Sequence, residues 1–363
     1  MTEGIDILID KTNWKKYRFD EVCKQINVTS KKPEADGLHY VIGLEHIEPG
    51  NLHITKWETL EKETTFTRKF VKGQVLFGRR RAYQRKVAYA EFDGICSGDI
   101  LVFEAIEENL IPELLPFLIQ SDGFFEKALS TSAGSLSPRT KFKELADYEF
   151  LLPPKAEQKR LAELLWAADE VVEKEKKTHE KLKVIEYNLI TKLNNPCNNA
   201  TRCQLGEIVT LNYGKALKES DRIDGQFPVL SSSGITGTHI DYMVKGPGIV
   251  VGRKGSAGNV IWVEKDFWTI DTAYWVSLKK NDIDLKWVYL LLQSLNLVDL
   301  AITTAIPGLN RDDAYEQIVY IPPIDEQKKI VNEYSMIRTT IDRSSMIIGQ
   351  SQQIKQELIN KIY

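Results

Sequence analysis

The chain has 363 residues, 42% of them hydrophobic and 27% charged, with a formal net charge of −3. That composition is ordinary for soluble globular protein and leaves room for two domains that each bury a core. It excludes a transmembrane protein, since the longest apolar run, about Trp287 to Leu292, is too short to cross a bilayer, and its four cysteines (Cys23, Cys96, Cys197, Cys203) form no CxxC pair that would suggest zinc or a disulfide framework.

The N-terminus, Met1 to Asp6, is polar and lacks the apolar stretch of a signal peptide, so a cytoplasmic location is expected. The first element of note is Phe19-Asp20-Glu21-Val22. Beyond it, no acid lies between Glu63 and Glu91, where Arg68, Lys69, Lys72, Arg79, Arg80, Arg81, Arg85 and Lys86 accumulate. The net charge argues against a polyanion partner, but the distribution argues for one: an uncompensated run of cations suits an anion-facing surface. Val75–Phe77 and Ile100–Phe103 read as short strands bounded by glycine and polar turns. A helical pattern follows at Leu110–Leu129, then Gly134-Ser135-Leu136-Ser137-Pro138-Arg139.

At Leu152-Pro153-Pro154-Lys155-Ala156-Glu157-Gln158 a long helix is predicted, because proline and acids suit a first helical turn. Its apolar seam, Leu161, Leu165, Ala168, Val172, Leu182, Leu189 and Leu193, follows the 4,3 spacing of a coiled coil. The seam carries Glu175 and His179 within the charged stretch Val171–Lys183, where fraying is expected. Asn194-Asn195-Pro196 ends the helix, and residues 194–202 read as a linker.

The second half repeats the first. Ile321-Pro322-Pro323-Ile324-Asp325-Glu326-Gln327 returns 169 residues after its counterpart, and the match runs without a gap to Lys361-Ile362. The second seam is Ile330, Tyr334, Ile337, Ile341, Ile348, Leu358 and Ile362. The globular parts match more loosely. Leu205-Gly206-Glu207-Ile208 aligns with Phe19–Val22, and the Gly252-Arg253-Lys254 turn after strand Ile249–Val251 aligns with Gly78-Arg79-Arg80. Pro307-Gly308-Leu309-Asn310-Arg311 aligns roughly with the segment ending at Arg139. A further helical pattern lies at Trp287–Ala301. The expected architecture is α+β: two pseudo-symmetric globular domains separated by two long antiparallel helices forming a coiled coil. The segments are 1–151 and 196–320 for the domains, and 152–195 and 321–363 for the helices, each helix roughly 55 Å long.

Arginine reads guanine, asparagine reads adenine, and serine donates to phosphate. The candidate DNA-facing residues are therefore Arg79, Arg80, Arg81, Arg85 and Lys86 in the first half and Arg253, Lys254, Ser256 and Asn259 in the second, with Arg139 and Arg311 as further candidates. Leu161, Leu165, Val172, Leu182, Leu189, Ile330, Ile337, Ile341, Ile348 and Leu358 are the candidates for helix pairing and partner docking. No catalytic motif is present: no Walker A sequence, no Asn- or Asp-Pro-Pro-aromatic loop, and no dinucleotide fingerprint in Gly252-x-x-Gly255-x-x-Gly258. Glu157-Gln158-Lys159 and Glu326-Gln327-Lys328 fit a nuclease acid-x-Lys pair in form, but sit at helix starts. The five histidines show no metal-ligand spacing.

The alternation of domain and helix, with Pro-Pro-x-x-Glu-Gln-x-x-Ile/Leu opening each helix at Pro153–Leu161 and Pro322–Ile330, resembles the specificity subunit, HsdS, of type I restriction-modification systems. The resemblance spans the whole chain. It implies two target recognition domains that each read one part of a split double-stranded DNA sequence, with helices that set the unread spacer. It implies a subunit that is non-catalytic alone, binds no cofactor itself, and has no membrane partner. The implied partners are two HsdM methyltransferase subunits using S-adenosylmethionine and, in the full complex, HsdR subunits using ATP and Mg. Two other readings stand beside it: a specificity–enzyme fusion, and a coiled-coil scaffold whose end domains bind protein.

Overall fold

The computed structural model describes residues 9–61, 64–196, 199–301 and 308–363; Cys197 and Pro307 lie outside them. The chain divides into two compact units, Met1–Lys176 with Ile347–Tyr363, and Lys177–Met346. Each unit thus contains one globular head and parts of both long helices.

In the first unit, strand Lys15–Arg18 runs antiparallel to Glu149–Leu152. A four-stranded antiparallel sheet has the order Cys23–Ile26, Ile100–Ala105, Val75–Gly78, Val87–Tyr89. A second sheet centres on Tyr40–Ile42, which pairs in parallel with Gly94–Cys96. The second unit repeats this scheme. Thr201–Gln204 pairs with Ile318–Ile321. The four-stranded sheet runs Val209–Tyr213, Ala273–Leu278, Gly248–Gly252, Val260–Val263. Phe227–Ser231 pairs in parallel with Trp268–Thr269. The loose sequence match of the two halves is therefore a close topological match: the four-stranded sheets have the same order, while the second sheet has four strands in the first unit and three in the second.

The aligned starts are equivalent down to single bonds. Phe19 and Leu205 both enter a helical turn directly after the first strand, and both are fully buried. The amide of Phe19 donates to the carbonyl of Tyr148 (2.8 Å), and that of Leu205 to Gln317 (2.9 Å). Around Phe19 the first core gathers Phe77, Phe103, Phe117, Phe124 and Phe125; Trp287 anchors the second, with Ile249, Val251 and Leu291. Each such side chain contributes about 1.5–3 kcal/mol on removal from water.

The long helices are Lys155–Thr191 and Ile324–Ile362. Leu152 and Ile321, expected at their starts, instead end strands. The proline pairs make the exit from strand to helix, since proline cannot continue donating to a ladder. Behind each pair sits a glutamine that is more than a helix former. Gln158 is buried; it donates to the carbonyls of Pro153 (3.0 Å) and Asn109 (2.9 Å) and accepts from the amide of Ile111 (3.0 Å). Gln327, fully buried, donates to Pro322 (2.9 Å) and accepts from the amide of Asp284 (2.9 Å). The repeated motif is a clamp that fastens each helix start to its own head.

The first helix continues unbroken through Val171–Lys183, contrary to the expected fraying. Ion pairs one turn apart, Glu173–Lys176 (2.7 Å) and Glu180–Lys183 (3.3 Å), support it there. Of the seam residues, Leu161, Leu165, Val172, Ile341 and Leu358 are buried, while Leu182, Leu189, Ile330, Ile337 and Ile348 are half-buried. At one turn the burial falls on Asp169 rather than on its neighbour Ala168. Asp169 of the first helix pairs with Lys355 of the second (2.8 Å), and in the other unit Glu186 pairs with Arg338 (3.6 Å). Seventeen residues forward on one helix correspond to seventeen back on the other, so the helices pair antiparallel. Cys23, Cys96 and Cys203 are free and buried. Burial pushes the Cys96 thiol up to about 12, against the nearby charge of Arg68.

Candidate nucleic-acid interface

The cation-rich turn of the first unit begins where strand Val75–Gly78 ends. Two non-glycine residues in the left-handed region, Arg81 and Arg85 (both φ 53°), bracket the helical turn Ala82–Gln84. The turn is fastened from outside its own segment: Arg79 N–H donates to the Asp99 carbonyl (3.0 Å), Thr140 N–H to Arg79 (3.1 Å), and Arg81 N–H to Pro138 (2.8 Å).

The acids missing from the local sequence are supplied by the fold. Arg139 forks onto Asp99, Nε to Oδ1 at 2.7 Å and Nη2 to Oδ2 at 3.2 Å. Arg80 reaches the same carboxylate (3.4 Å) and donates to Ser137 Oγ (2.6 Å). The hydrogen bond from Arg139 leads the causes that hold the Asp99 carboxyl below its usual range. Arg85 pairs with Asp122 and lies over the Phe125 ring at 4.6 Å. Lys86 donates its Nζ to the Leu44 carbonyl (2.6 Å). The expectation of an uncompensated run is thus corrected, because Asp99 and Asp122 lie beyond the window yet fold against it.

Arg81, by contrast, is exposed, as is the adjacent Tyr83 at 57%. Arg79 is half-buried, and its Nε has no partner among the described residues. Burial, with Arg68 and Arg139 nearby, lowers its affinity for a proton. An arginine in that position favours an approaching anion.

In the second unit the Gly252-Arg253-Lys254 turn takes the same place. Arg253 N–H donates to Thr272 (2.9 Å), and Leu309 N–H donates to Arg253 (2.9 Å). This makes Leu309 the counterpart of Thr140, and therefore Gly308 that of Arg139. The rough sequence alignment, which placed Arg139 with Arg311, is shifted: Arg311 corresponds to Phe142, each opening a short helix.

Arg311 nevertheless joins the site. Its guanidinium lies 5.2 Å from the Tyr213 ring and that of Arg253 lies 4.8 Å from it, so two cations from distant segments converge on one half-exposed tyrosine. Arg253 Nη1 also donates to the Asp271 carbonyl (3.2 Å), and Arg311 Nε is buried with no partner among the described residues. Each cation on a ring face contributes about 0.5–1 kcal/mol at exposed sites. Lys254 and Ser256 are exposed, and exposed Asn259 donates to the Ser232 carbonyl (3.2 Å). Gly252 must lack a side chain, since a Cβ there would sit 2.1 Å from the Ser256 carbonyl oxygen.

Sequence reasoning named the arginines but missed Tyr83 and Tyr213. Tyr83 was legible as an aromatic between Arg81 and Arg85; Tyr213 carried only its neighbour Gly214 as a turn signal. No group of three His, Cys, Asp or Glu residues that could hold a metal is found among the described residues, and no helix there is long and apolar enough to cross a membrane.

Two heads of closely similar topology, each running through a proline pair into a long helix and each bearing an arginine turn, define a tandem-repeat protein. The chain belongs to the family of the type I restriction modification DNA specificity domain, whose model matches residues 11–184 and again 199–356. It is 27% identical over 170 residues to the type I restriction enzyme EcoDI specificity subunit of Escherichia coli, covering 45% of this chain and 37% of that protein. It is 25% identical over 155 residues to the EcoprrI specificity subunit of the same organism, covering 40% and 38%. The matched stretches thus span under two-fifths of either relative's length. The fold is similar to that of the S subunit from M. genitalium (TM-score 0.63, 18% identity, 98% of both chains). It is also similar to the HsdS subunit from Thermoanaerobacter tengcongensis (TM-score 0.51, 17% identity, 100% of this chain and 99% of that one).

Proposed function

We propose that this chain reads a split DNA sequence, one part with each head, and that the paired helices set the unread spacer. The observation that carries the reading is the equivalence of the two arginine turns, held by matching backbone bonds at Arg79 and Arg253. A second arginine from a later segment lies near each, at positions that do not correspond, Arg139 sharing Asp99 with Arg80 and Arg311 sharing the Tyr213 ring with Arg253. Arginine suits both phosphate and guanine, and the adjacent Tyr83 and Tyr213 offer rings against sugar or base. The chain is non-catalytic alone, works in the cytoplasm, and carries no cofactor of its own. It recruits two HsdM methyltransferase subunits, which bring S-adenosylmethionine, with HsdR subunits bringing ATP and Mg in the full complex. The buried seam residues hold the helices together, so docking falls to the exposed apolar side chains beside them: Val184, Ile185 and Tyr187 on the first helix, Met336, Met346 and Ile354 on the second.

The test is DNA binding by the assembled methyltransferase across a salt series. Arg81→Ala and Arg253→Ala are each expected to weaken binding about 10-fold at physiological salt, by the loss of a base or phosphate contact worth ~1–3 kcal/mol. Unchanged affinity for both variants would remove these turns from the interface.

A further inference from the structure

The two ion pairs that cross between the long helices are related by the internal repeat, and the repeat exchanges their charges. Asp169 corresponds to Arg338 and Glu186 to Lys355 under the 169-residue shift. Within the first unit Asp169 meets Lys355 at 2.8 Å, with both side chains at most 4% exposed; within the second Glu186 meets Arg338 at 3.6 Å, at 15% and 51% exposure. The first helix supplies the acid at both crossings and the second helix supplies the base, with Arg338 also reaching Asp342 of its own helix (3.4 Å). Between them on the first helix, half-buried Lys176 pairs within its own helix with Glu173 (2.7 Å).

We propose that this charge arrangement makes the two helices obligate partners of each other and bars either from pairing with a second copy of itself. The apolar seam alone chooses only weakly, because its residues correspond across the repeat apart from Leu182, which falls on Ser351, and Ile348, which falls on His179. A first helix paired antiparallel with another first helix in this register would oppose Asp169 to Glu186 at both crossings. Two second helices would oppose Lys355 to Arg338 at both. Like charges at a packed helix interface are strongly disfavoured, and polar residues inside a seam are the best-attested means of fixing register and partner. Within one chain the correct pairing is further favoured by its high effective concentration. The partner is thus a complementary half, of the same chain or another copy. This inference rests on the helices and is independent of what the heads bind.

The test uses full-length chains and the more exposed crossing, leaving the buried Asp169–Lys355 pair to hold the fold. Glu186→Arg and Arg338→Glu each create a like-charge crossing, and each is expected to lower the melting midpoint by roughly 2–4 °C. The double variant Glu186→Arg/Arg338→Glu restores opposite charges and should recover the midpoint, which also shows that the new side chains are tolerated. Co-expressing the two single variants, one of them tagged, offers each helix a complementary partner on the other copy. We expect the tagged chain to co-purify the untagged one as a species of twice the mass, as wild-type chains co-expressed in the same way do not. A double variant no better than the sum of the singles, or a co-expression yielding only the two separate parents, overturns the proposal.

Discussion

At the scale of single residues, the informative ones are charged groups whose partners are far away in sequence. Asp169 accepts from Lys355 Nζ and contacts His53 Nε2 (2.8 Å), while His53 Nδ1 contacts Glu91 (2.9 Å) and Lys355 also donates to the Gly50 carbonyl (3.2 Å). This network ties both long helices to one loop of the first head. The hydrogen bond to Asp169 raises the His53 pKa from 6.5 to about 9, against burial and helped by Glu91. Burial works against the Asp169 charge, but His53 and Lys355 outweigh it and keep its carboxyl below the usual range. Because the folded-state pKa of His53 lies above the unfolded one, its stabilising contribution is complete below about pH 6.5 and is lost as pH rises through about 9. The Asp169 contribution runs the other way, present at neutral pH and lost only in acid. A thermal melt series should therefore show a midpoint that falls between pH 6.5 and 9, and His53→Gln should flatten that slope. A wild-type midpoint that stays level over this range would contradict the assignment.

At the scale of elements, the glutamine clamps explain why the proline-pair motif occurs twice. Each buried glutamine satisfies one backbone amide and one proline carbonyl where the chain turns from strand to helix. Truncation leaves those groups buried and unpaired, at about 1–3 kcal/mol for each one unsatisfied. Gln158→Ala and Gln327→Ala are each expected to destabilise the protein by ~2 kcal/mol in denaturant unfolding. Glu157→Ala, at a half-exposed position one residue away, serves as the comparison and should cost less. Equal losses at Glu157 and Gln158 would assign the motif to helix initiation and not to the clamp.

At the scale of the whole molecule, duplication is the governing fact. The same order in the four-stranded sheet, the same parallel pair and an arginine turn held by matching backbone bonds occur in both units. On the proposed reading the heads act independently on their own parts of the target. Exchanging residues 1–150 for those of another family member should then change one half of the methylated sequence and leave the other intact, as read by mapping adenine methylation in a host carrying the chimera. A change in both halves would show that the heads do not read separately.

The repeat, the two long helices and the family were legible in the amino-acid sequence, because periodicity and helix-start chemistry are local, whereas the exact helix starts were not: Leu152 and Ile321 end strands. Leu165, Val172 and Ile341 could be placed on the buried side of their helices from spacing alone. What only the tertiary structure decided depends on contacts between distant segments. Asp99 and Asp122 neutralise arginines that look unpaired in their own stretch of chain, and Arg311 meets Arg253 across Tyr213. At Asp169 the helix buries a charge where the pattern offered Ala168, because Lys355 and His53 wait on other elements to receive it. Spacing along the chain records which side of a helix faces inward, but the partner of a charge is fixed only when the folded backbone brings the opposite charge within reach.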